Sequence, residues 1–324
     1  SNVSPDEWKQ CYQLAAKHGV MALAWEGVMT LPIAIQPPKG LKVNWGLAVE
    51  AYEHKYRRYC RTADELSRFY AQHGIAMVQL KGVGYSHLYP IPSHREGGDI
   101  DIRIYSLDTD RMSDEEALAL AEHLMEERGI EVDRTHSKKH NTFRYRGIMI
   151  ENHKAYLNVY NTREAFSLEE YLHEHDTPVE TVLLEGECPV SVPSDAFNAV
   201  FIGFHAAQHF GSGLSLHHLC DWACLLNHGA LDLLPTELMD VKVQHFFRAL
   251  TGLAYSYLGS SVEVDYDKEL AEIMLKEMVS PTYPSVPAKA LGNNPIRIFM
   301  YKFRRLYHNS ALRGRVFDTN FSER

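Results

Sequence analysis

HREGGDIDIRI, at His94–Ile104, is the most informative stretch of the sequence, and it follows the glycine loop LKGVGY at Leu80–Tyr85. Successive side chains of a β-strand point to opposite faces, so Asp99 and Asp101 share one face, about 6.5 to 7 Å apart along the chain. The opposite face is apolar and suited to burial, because it carries three isoleucines, Ile100, Ile102 and Ile104. This spacing predicts a half-buried strand with two carboxylates on its polar face.

Two carboxylates on one face of a strand can hold divalent cations against a polyphosphate. Aspartate is disfavoured in strands, yet Asp99 and Asp101 both lie in an isoleucine-rich one, and Gly98 before them lets the backbone approach a ligand closely. Metal-assisted phosphoryl or nucleotidyl transfer is therefore the first hypothesis. The alternative is a pair of solvated aspartates on an exposed strand face.

A two-metal site needs a third carboxylate, and Glu151 is the candidate. The sequence alternates around Arg146–Gly147, which predicts a hairpin whose second strand is Ile148–Asn152. If this strand lies next to the aspartate strand, Glu151 comes beside Asp99 and Asp101. Three carboxylates can bind Mg²⁺ and leave sites for water and phosphate oxygens. An exposed hairpin glutamate is the alternative interpretation of Glu151.

The glycine loop and its neighbours are the candidate nucleotide-binding residues. The loop is not a P-loop, because the GxxxxGK[ST] spacing is absent. Gly82 and Gly84 can expose backbone N–H groups, and the short helix predicted after them favours an anion at its N-terminus. Lys81 and Arg95 are the cations available for phosphates, and Gly98 completes the set. The alternatives are a surface lysine at Lys81 and an ion pair of Arg95 within its own loop.

Hydrophobic periodicity predicts an α+β protein in three parts. Residues 1–74 form a helical N-terminal region, which ends with a long helix at Asn44–His73 and a terminating glycine. Residues 75–192 form a mixed α/β unit with a small sheet of about four to six strands. Residues 193–324 form a helical C-terminal region.

Composition argues against several classes of protein. The chain has 324 residues and a formal net charge of −9, which is not typical of a general nucleic-acid binder. Its five cysteines form no CxxC pair, so neither a zinc ribbon nor a disulfide framework is indicated. No apolar run approaches the roughly 20 residues that span a bilayer, and no signal peptide opens the chain. We therefore expect a cytoplasmic protein without membrane contact.

Three motifs together resemble an uncharacterised bacterial family of the nucleotidyltransferase superfamily, which has a polymerase-β-like fold. They are LKG at Leu80–Gly82, Arg95, and GDID at Gly98–Asp101. HAAQH at His205–His209 resembles the helical second half of that family, and the resemblance covers most of residues 20–300. It implies that residues 75–192 are a nucleotidyltransferase-like core with a small mixed β-sheet, between helical N-terminal and C-terminal regions.

The resemblance implies Mg²⁺-dependent transfer of a nucleoside monophosphate from a nucleoside triphosphate, with ATP the expected donor, to a hydroxyl acceptor. It carries over Asp99, Asp101 and Glu151 as catalytic metal ligands. The expected acceptor is a small molecule, a sugar or a protein side chain. Long nucleic acid is the least expected acceptor, because the chain is acidic.

The loop Gly82-Val83-Gly84 departs from the Gly-Ser or Gly-Gly pair of the wider superfamily. The first small hydroxyl residue after it is Ser86. A catalytically degenerate nucleotide- or partner-binding module of the same fold is therefore the first alternative function.

A metal-dependent hydrolase built on His205, His209 and Asp221 is the second alternative. His205 and His209 lie four residues apart on a predicted helix and share a face, where two imidazoles can bind a metal ion. The competing interpretation is two helix-packing histidines with polar partners.

Overall fold

The computed structural model describes residues 3–135, 137–158, 163–176, 180–285, 288–292 and 294–317. The chain divides into two compact units. Unit 1 comprises residues 1–156 and 174–194, and unit 2 comprises residues 157–173 and 195–324. The region boundaries at 74/75 and 192/193 stay predictions from the sequence.

Unit 1 combines helices with strands. Its helices are α1 (Pro5–Lys17), α2 (Met21–Thr30), α3 (Lys39–Ala71) and α4 (Asp114–Glu127). Its strands are β1 (Ile75–Gln79), β2 (Ile100–Ser106), β3 (Val132–Asp133), β4 (His140–Tyr145), β5 (Ile148–His153), β6 (Glu180–Leu184) and β7 (Cys188–Val192). Two short 3₁₀ turns, Gly84–Leu88 and Pro92–His94, lie between β1 and β2.

Five strands form a mixed sheet in the order β1-β2-β5-β4-β3. β2 and β5 run parallel, whereas the other neighbouring pairs are antiparallel. β6 and β7 form a separate antiparallel hairpin. The predicted α+β class with a small mixed sheet is thus confirmed. The registers that position the site pair Asp101 with Glu151 and His140 with His153.

β2 is buried on both faces, not on one as its spacing predicts. Ile100 and Ile102 are inaccessible to solvent, and they join an apolar cluster with α3 and α4. Asp101, on the other face, is also 0% exposed. The side chains of Lys81 and His153, which approach its carboxylate to 3.1 Å and 2.9 Å, help to enclose Asp101 on this face. A solvated strand aspartate is therefore excluded for Asp101.

α4 follows its sequence signals closely. The Ser113 hydroxyl accepts a hydrogen bond from the backbone N–H of Glu116, and the Glu116 carboxylate accepts one from the N–H of Ser113. This reciprocal capping box satisfies two N–H groups that the helix itself leaves unpaired. The helix that begins here packs its buried alanines against β2 and the rest of the core.

The hairpin β6–β7 has no counterpart among the predicted strands. Its turn places both Glu185 and Gly186 at positive φ, 52° and 70°. A glutamate rarely adopts this conformation, so Glu185 does not indicate a tight turn in the sequence.

Unit 2 is helical throughout its described part. Its helices are α5 (Arg163–Glu174), α6 (Asp195–His209), α7 (Leu216–Leu226), α8 (Val241–Leu258), α9 (Lys268–Val279) and α10 (Pro295–Arg313). α5 is a further element that the sequence did not predict. Across the residues that the structure describes, no helix combines the length and the apolar character that a membrane span requires.

Candidate active site

The predicted carboxylates meet where three strands of unit 1 lie side by side. Asp101 lies on β2 and Glu151 on β5, and the parallel register makes these two residues direct neighbours. Asp99 immediately precedes β2, and Lys81 follows β1, which is antiparallel to β2. A backbone hydrogen bond from Leu80 N to Asp101 O, 3.1 Å long, extends the β1–β2 pairing to the glycine loop. We call Asp99, Asp101 and Glu151 the carboxylate site.

Asp101 is the buried centre of this site. One carboxylate oxygen, Oδ1, lies 3.1 Å from Lys81 Nζ and 2.9 Å from His153 Nε2. The other oxygen, Oδ2, is buried and has no hydrogen-bond partner among the described residues. A buried anionic oxygen without a partner is costly, and a cation ligated there would remove the cost. The residues present therefore fit a divalent metal ion.

The charges of the site raise some pKa values and lower others. Burial raises the pKa of Glu151 to about 7, and the negative charges of Asp101 and Asp99 add to the effect. Burial and the charge of Asp101 likewise raise the pKa of Asp99. Burial also opposes ionisation of Asp101, but the Lys81 ammonium and the His153 hydrogen bond outweigh it and hold that pKa far below its usual range.

The site therefore holds more negative charge than its one lysine neutralises. Desolvation lowers the pKa of Lys81, but Asp101, Asp99 and Glu151 together raise it above its ordinary value. The ammonium therefore stays charged, and further positive charge is still favourable in its neighbourhood.

Two histidines, His153 and His140, complete the site, and neither is among the site residues predicted from the sequence. His153 Nδ1 lies 3.0 Å from the carbonyl oxygen of Ala155 and its Nε2 lies 2.9 Å from Asp101 Oδ1, so each ring nitrogen faces an oxygen acceptor. His140 Nδ1 lies 3.6 Å from Glu151 Oε2. One ligand atom from each of His140, Glu151 and His153 lies within 4.8 Å of the others. Burial, together with the charge on His153, lowers the pKa of His140 to about 4, so its ring is neutral at pH 7.

The signal that could have found His140 is the register of the predicted hairpin. β4 and β5 pair His140 directly with His153 across the ladder. The first strand of the predicted hairpin, Thr142–Tyr145, begins two residues after His140 and therefore omits this pair.

The glycine loop is held tightly against the site. Gly82 has φ +63°, and a Cβ there would lie 3.2 Å from the carbonyl oxygen of Asp99. A Cβ on Gly84 would lie 2.4 Å from the Cβ of Gln79. Both glycines are therefore required by close backbone approach. Gly98 is exposed and has open space around it, and its carbonyl accepts a hydrogen bond from Tyr59 Oη at 3.0 Å.

Arg95 is placed as a support for this loop. Its side chain is buried, and Nη1 donates to the carbonyl oxygen of Gly82 at 2.9 Å. Its guanidinium carbon lies 5.0 Å from the centre of the Tyr85 ring, within cation–π range. Phosphate binding by Lys81, Gly82, Gly84, Arg95 and Gly98 stays a prediction.

A narrow cleft of about 20 Å³, little more than the room for one water molecule, adjoins the loop. Its α3 side presents three tyrosines and a lysine, and its other side is formed by the glycine loop and the residues before Gly98. The lining comprises Tyr52, Lys55, Tyr56, Tyr59, Gly82, Val83, Ser93, Arg95, Glu96 and Gly97.

The residues predicted for a hydrolase meet only in part. His205 and His209 are adjacent on α6, with ring centroids 4.4 Å apart. Among the described residues, His218 is the third side chain with a ligand atom close enough to share a metal ion with them. Asp221 lies instead 3.4 Å from Nε2 of His217, one turn earlier on α7. The side chain predicted as third ligand thus faces another histidine.

Comparisons with solved structures give two weak similarities. The crystal structure of an antigenic nucleotidyltransferase-like protein from Paracoccidioides brasiliensis is 12% identical with a TM-score of 0.36, over 68% of this chain and 93% of that chain. A tRNA-processing enzyme in an apo form is 14% identical with a TM-score of 0.29, over 79% of this chain and 77% of that chain. TM-scores this low support no conclusion about the present chain.

Comparisons of sequence are more informative. No curated protein matches the chain. The profile of a family described as uncharacterised nucleotidyltransferase matches residues 4–259. This match confirms the resemblance found in the motifs, while an origin in bacteria stays a prediction. Because the match covers most of the chain and includes the whole carboxylate site, the protein belongs to this nucleotidyltransferase family.

Proposed function

We propose that the protein is a Mg²⁺-dependent nucleotidyltransferase that moves a nucleoside monophosphate from a nucleoside triphosphate, expected to be ATP, to a hydroxyl acceptor. One observation carries the proposal. The buried Asp101 has an oxygen without a partner among the described residues, and it lies in register with Glu151 on the neighbouring strand. Such an arrangement is suited to a cation that also binds phosphate oxygens.

Asp99, Asp101 and Glu151 are the residues that would hold the metal. When bound, Mg²⁺ would supply positive charge against the triphosphate and the developing charge of the transferred group. His153 orients the Asp101 carboxylate through its 2.9 Å contact, and its own ring is fixed by the bond to Ala155. Second-sphere contacts of this kind keep ligand oxygens in place.

The acceptor hydroxyl would lose its proton close to Glu151. A bound metal ion lowers the pKa of a hydroxyl that it ligates, so the metal held by the carboxylates would supply this activation. Burial and the neighbouring carboxylates raise the pKa of Glu151 to about 7 in the metal-free site, so Glu151 must lose its proton before it can bind the metal.

The glycine loop offers contacts for the triphosphate. Lys81 is 19% exposed and can turn from Asp101 towards a phosphate, while the N–H groups beside Gly82 offer hydrogen bonds. Arg95 acts through the loop, because its contact with Gly82 O fixes the loop conformation.

A degenerate binding module is the second candidate, and one observation favours it. Lys81 already neutralises Asp101 at 3.1 Å, as a lysine does where it replaces a metal ion. In that case the chain would retain the fold and the cleft but would not release pyrophosphate.

Calorimetry with each nucleoside triphosphate and Mg²⁺ tests the proposal. We expect the wild type to bind one nucleotide only when Mg²⁺ is present, and the Asp99→Asn/Asp101→Asn variant to lose this binding. Asp108→Asn is the matched control, because Asp108 is exposed and its carboxylate forms an ion pair with Arg111, three residues further along the same loop. Its affinity is expected to equal that of the wild type.

Two results would contradict the proposal. Nucleotide binding that does not depend on Mg²⁺ and survives in the double aspartate variant would support the degenerate module. An absence of binding for every triphosphate would remove nucleotide chemistry from this site altogether.

A further inference from the structure

Three histidines of unit 2 form a cluster that the proposed transferase does not use. His205 and His209 lie one turn apart near the end of α6, and His218 lies in the first turn of α7. One ring nitrogen of each lies within 4.8 Å of those of the other two. The ring centroids are 4.4 Å, 4.9 Å and 5.5 Å apart. We call these residues the histidine cluster.

The fold brings the cluster together by local geometry. Residues four apart on a helix share a face, which aligns His205 with His209. The chain then reverses direction through a tight turn that contains Gly211 at φ +89°. A Cβ on Gly211 would lie 2.6 Å from the carbonyl oxygen of Asn309 in α10, so only glycine fits. The turn therefore fixes the start of α7, and with it His218, close to the end of α6.

The ring of His218 is oriented by the cap of α7. The backbone N–H of Ser215 lies 3.1 Å from Nδ1, and Ser215 Oγ lies 2.8 Å from the same atom. The cap engages Nδ1, so Nε2 is the atom suited to a metal. When a metal ion binds Nε2, the neutral ring carries its proton on Nδ1. The Nδ1–H group then donates a hydrogen bond to Ser215 Oγ, and the present hydrogen bond from the Ser215 N–H to Nδ1 is lost.

His217 is adjacent in sequence but turned elsewhere. Its Nε2 lies 3.4 Å from Asp221 Oδ2, and its ring is nearly perpendicular to that of His218, with centroids 6.4 Å apart. It thus serves as a natural comparison for the three clustered histidines.

We infer that His205, His209 and His218 form a binding site for a first-row transition metal ion such as Zn²⁺. Neutral imidazole is a preferred ligand of Zn²⁺, Cu²⁺ and Ni²⁺, whereas Mg²⁺ prefers oxygen. Three nitrogens that bind one Zn²⁺ tetrahedrally lie about 3.3 Å apart, a spacing that small side-chain rotations reach from the present one. All three residues are half-buried, so the cluster lies near the surface of unit 2.

The metal would connect the end of α6 to the start of α7. This inference is independent of the proposed transferase function, because it involves different residues, a different class of metal and a different unit. The proposed ligands differ from those of the hydrolase hypothesis in one residue, because His218 takes the place predicted for Asp221.

Zn²⁺ titration of the full chain, after treatment with a chelator, tests the inference. The titration uses the His140→Gln/Glu151→Gln background, because His140, Glu151 and His153 of unit 1 form a second group that could hold a metal ion. We expect one Zn²⁺ per chain in this background. His205→Gln, His209→Gln and His218→Gln should each weaken binding by at least about 100-fold, whereas His217→Gln should change it less than about threefold. Saturating Zn²⁺ should raise the thermal midpoint of unfolding by about 5 °C.

Two outcomes would overturn the inference: no Zn²⁺ binding in this background, or an equal loss in His217→Gln and His209→Gln. If a histidine variant fails to fold, as judged by circular dichroism, Co²⁺ added to the background protein decides the question. Intense visible absorption of a tetrahedral, nitrogen-ligated Co²⁺ is expected. The weak absorption of octahedral Co²⁺ alone would overturn the site.

Discussion

The carboxylate site of unit 1 and the histidine cluster of unit 2 are assembled in opposite ways. The first joins Asp101 to Glu151, fifty positions further along the chain, through the register of two parallel strands. The second joins three residues within one helix–turn–helix, at His205–His218. The first offers oxygen ligands around the fully buried Asp101, with Asp99 and Glu151 half-buried, and the second offers nitrogen ligands that are all half-buried.

This difference predicts which metal each region selects. Carboxylates suit Mg²⁺ and phosphate chemistry, whereas imidazoles suit Zn²⁺ and similar ions. It also predicts how each region fails. A strand that slips by one residue would separate Asp101 from Glu151 completely, whereas a small helix rotation would only weaken the histidine cluster.

The largest expected effect comes from Asp101→Asn. The variant removes a buried charge that a metal needs and leaves the Lys81 ammonium without its close partner. We expect Mg²⁺-dependent nucleotide transfer to fall by about 1000-fold or more, as several kcal/mol of electrostatic stabilisation are lost. Pyrophosphate release and calorimetry measure the loss.

The matched variant for this comparison is His209→Gln. In the otherwise wild-type chain it should leave Mg²⁺-dependent nucleotide binding within about threefold of the wild-type value. In the His140→Gln/Glu151→Gln background it should abolish tight Zn²⁺ binding. If either variant affects both metals equally, the two regions are not independent sites.

The second effect concerns pH. Burial and neighbouring charges raise the pKa of Glu151 to about 7, so in the metal-free protein it keeps its proton below that pH. The stability that Glu151 contributes is therefore fully present below its ordinary pKa and is lost as the pH rises through about 7. A metal ion requires the ionised form, so we expect Mg²⁺ affinity to rise about fivefold between pH 6 and pH 7.

Glu151→Gln tests this pH dependence directly. The variant should bind Mg²⁺ weakly, and its affinity should vary much less with pH over the same interval. If the Mg²⁺ affinity of the wild type stays constant from pH 6 to pH 8, metal binding does not depend on the ionisation of Glu151.

The third effect concerns the loop beside the carboxylates. Gly84→Ala places a Cβ 2.4 Å from Gln79 Cβ, so the loop or β1 must shift. We expect the free energy of unfolding to fall by about 1–3 kcal/mol, as for other overpacked positions, and nucleotide affinity to fall with it. Urea denaturation measures the change. Gly97→Ala, which meets no atom within 4 Å, is the control and should change stability by less than about 0.5 kcal/mol.

The smallest effect is expected for Ser215→Ala. The variant removes the hydroxyl that would accept the proton of His218 Nδ1, which lies 2.8 Å away. Loss of such an outer contact lowers metal affinity by about tenfold. Zn²⁺ calorimetry in the His140→Gln/Glu151→Gln background measures it. An unchanged affinity would mean that Ser215 acts only as a helix cap.

Local sequence patterns account for much of the fold and for part of each site. The alternation in DIDIRI correctly predicts the apolar face of β2, and Ser113 forms with Glu116 the local capping box that begins α4. The i and i+4 spacing places His205 beside His209. These features depend on residues a few positions apart, and their geometry follows from the repeat of a strand or a helix.

Features that depend on distant residues were set by tertiary structure. The order β1-β2-β5-β4-β3 buries Asp101, pairs it with Glu151 and brings His140 beside His153. The turn at Gly211 selects His218 over Asp221 as the third member of the histidine cluster. Local periodicity fixes which face of its own element a residue occupies. Strand pairing and helix packing then fix which other element covers that face, and this choice brought together the groups on which both proposed functions depend.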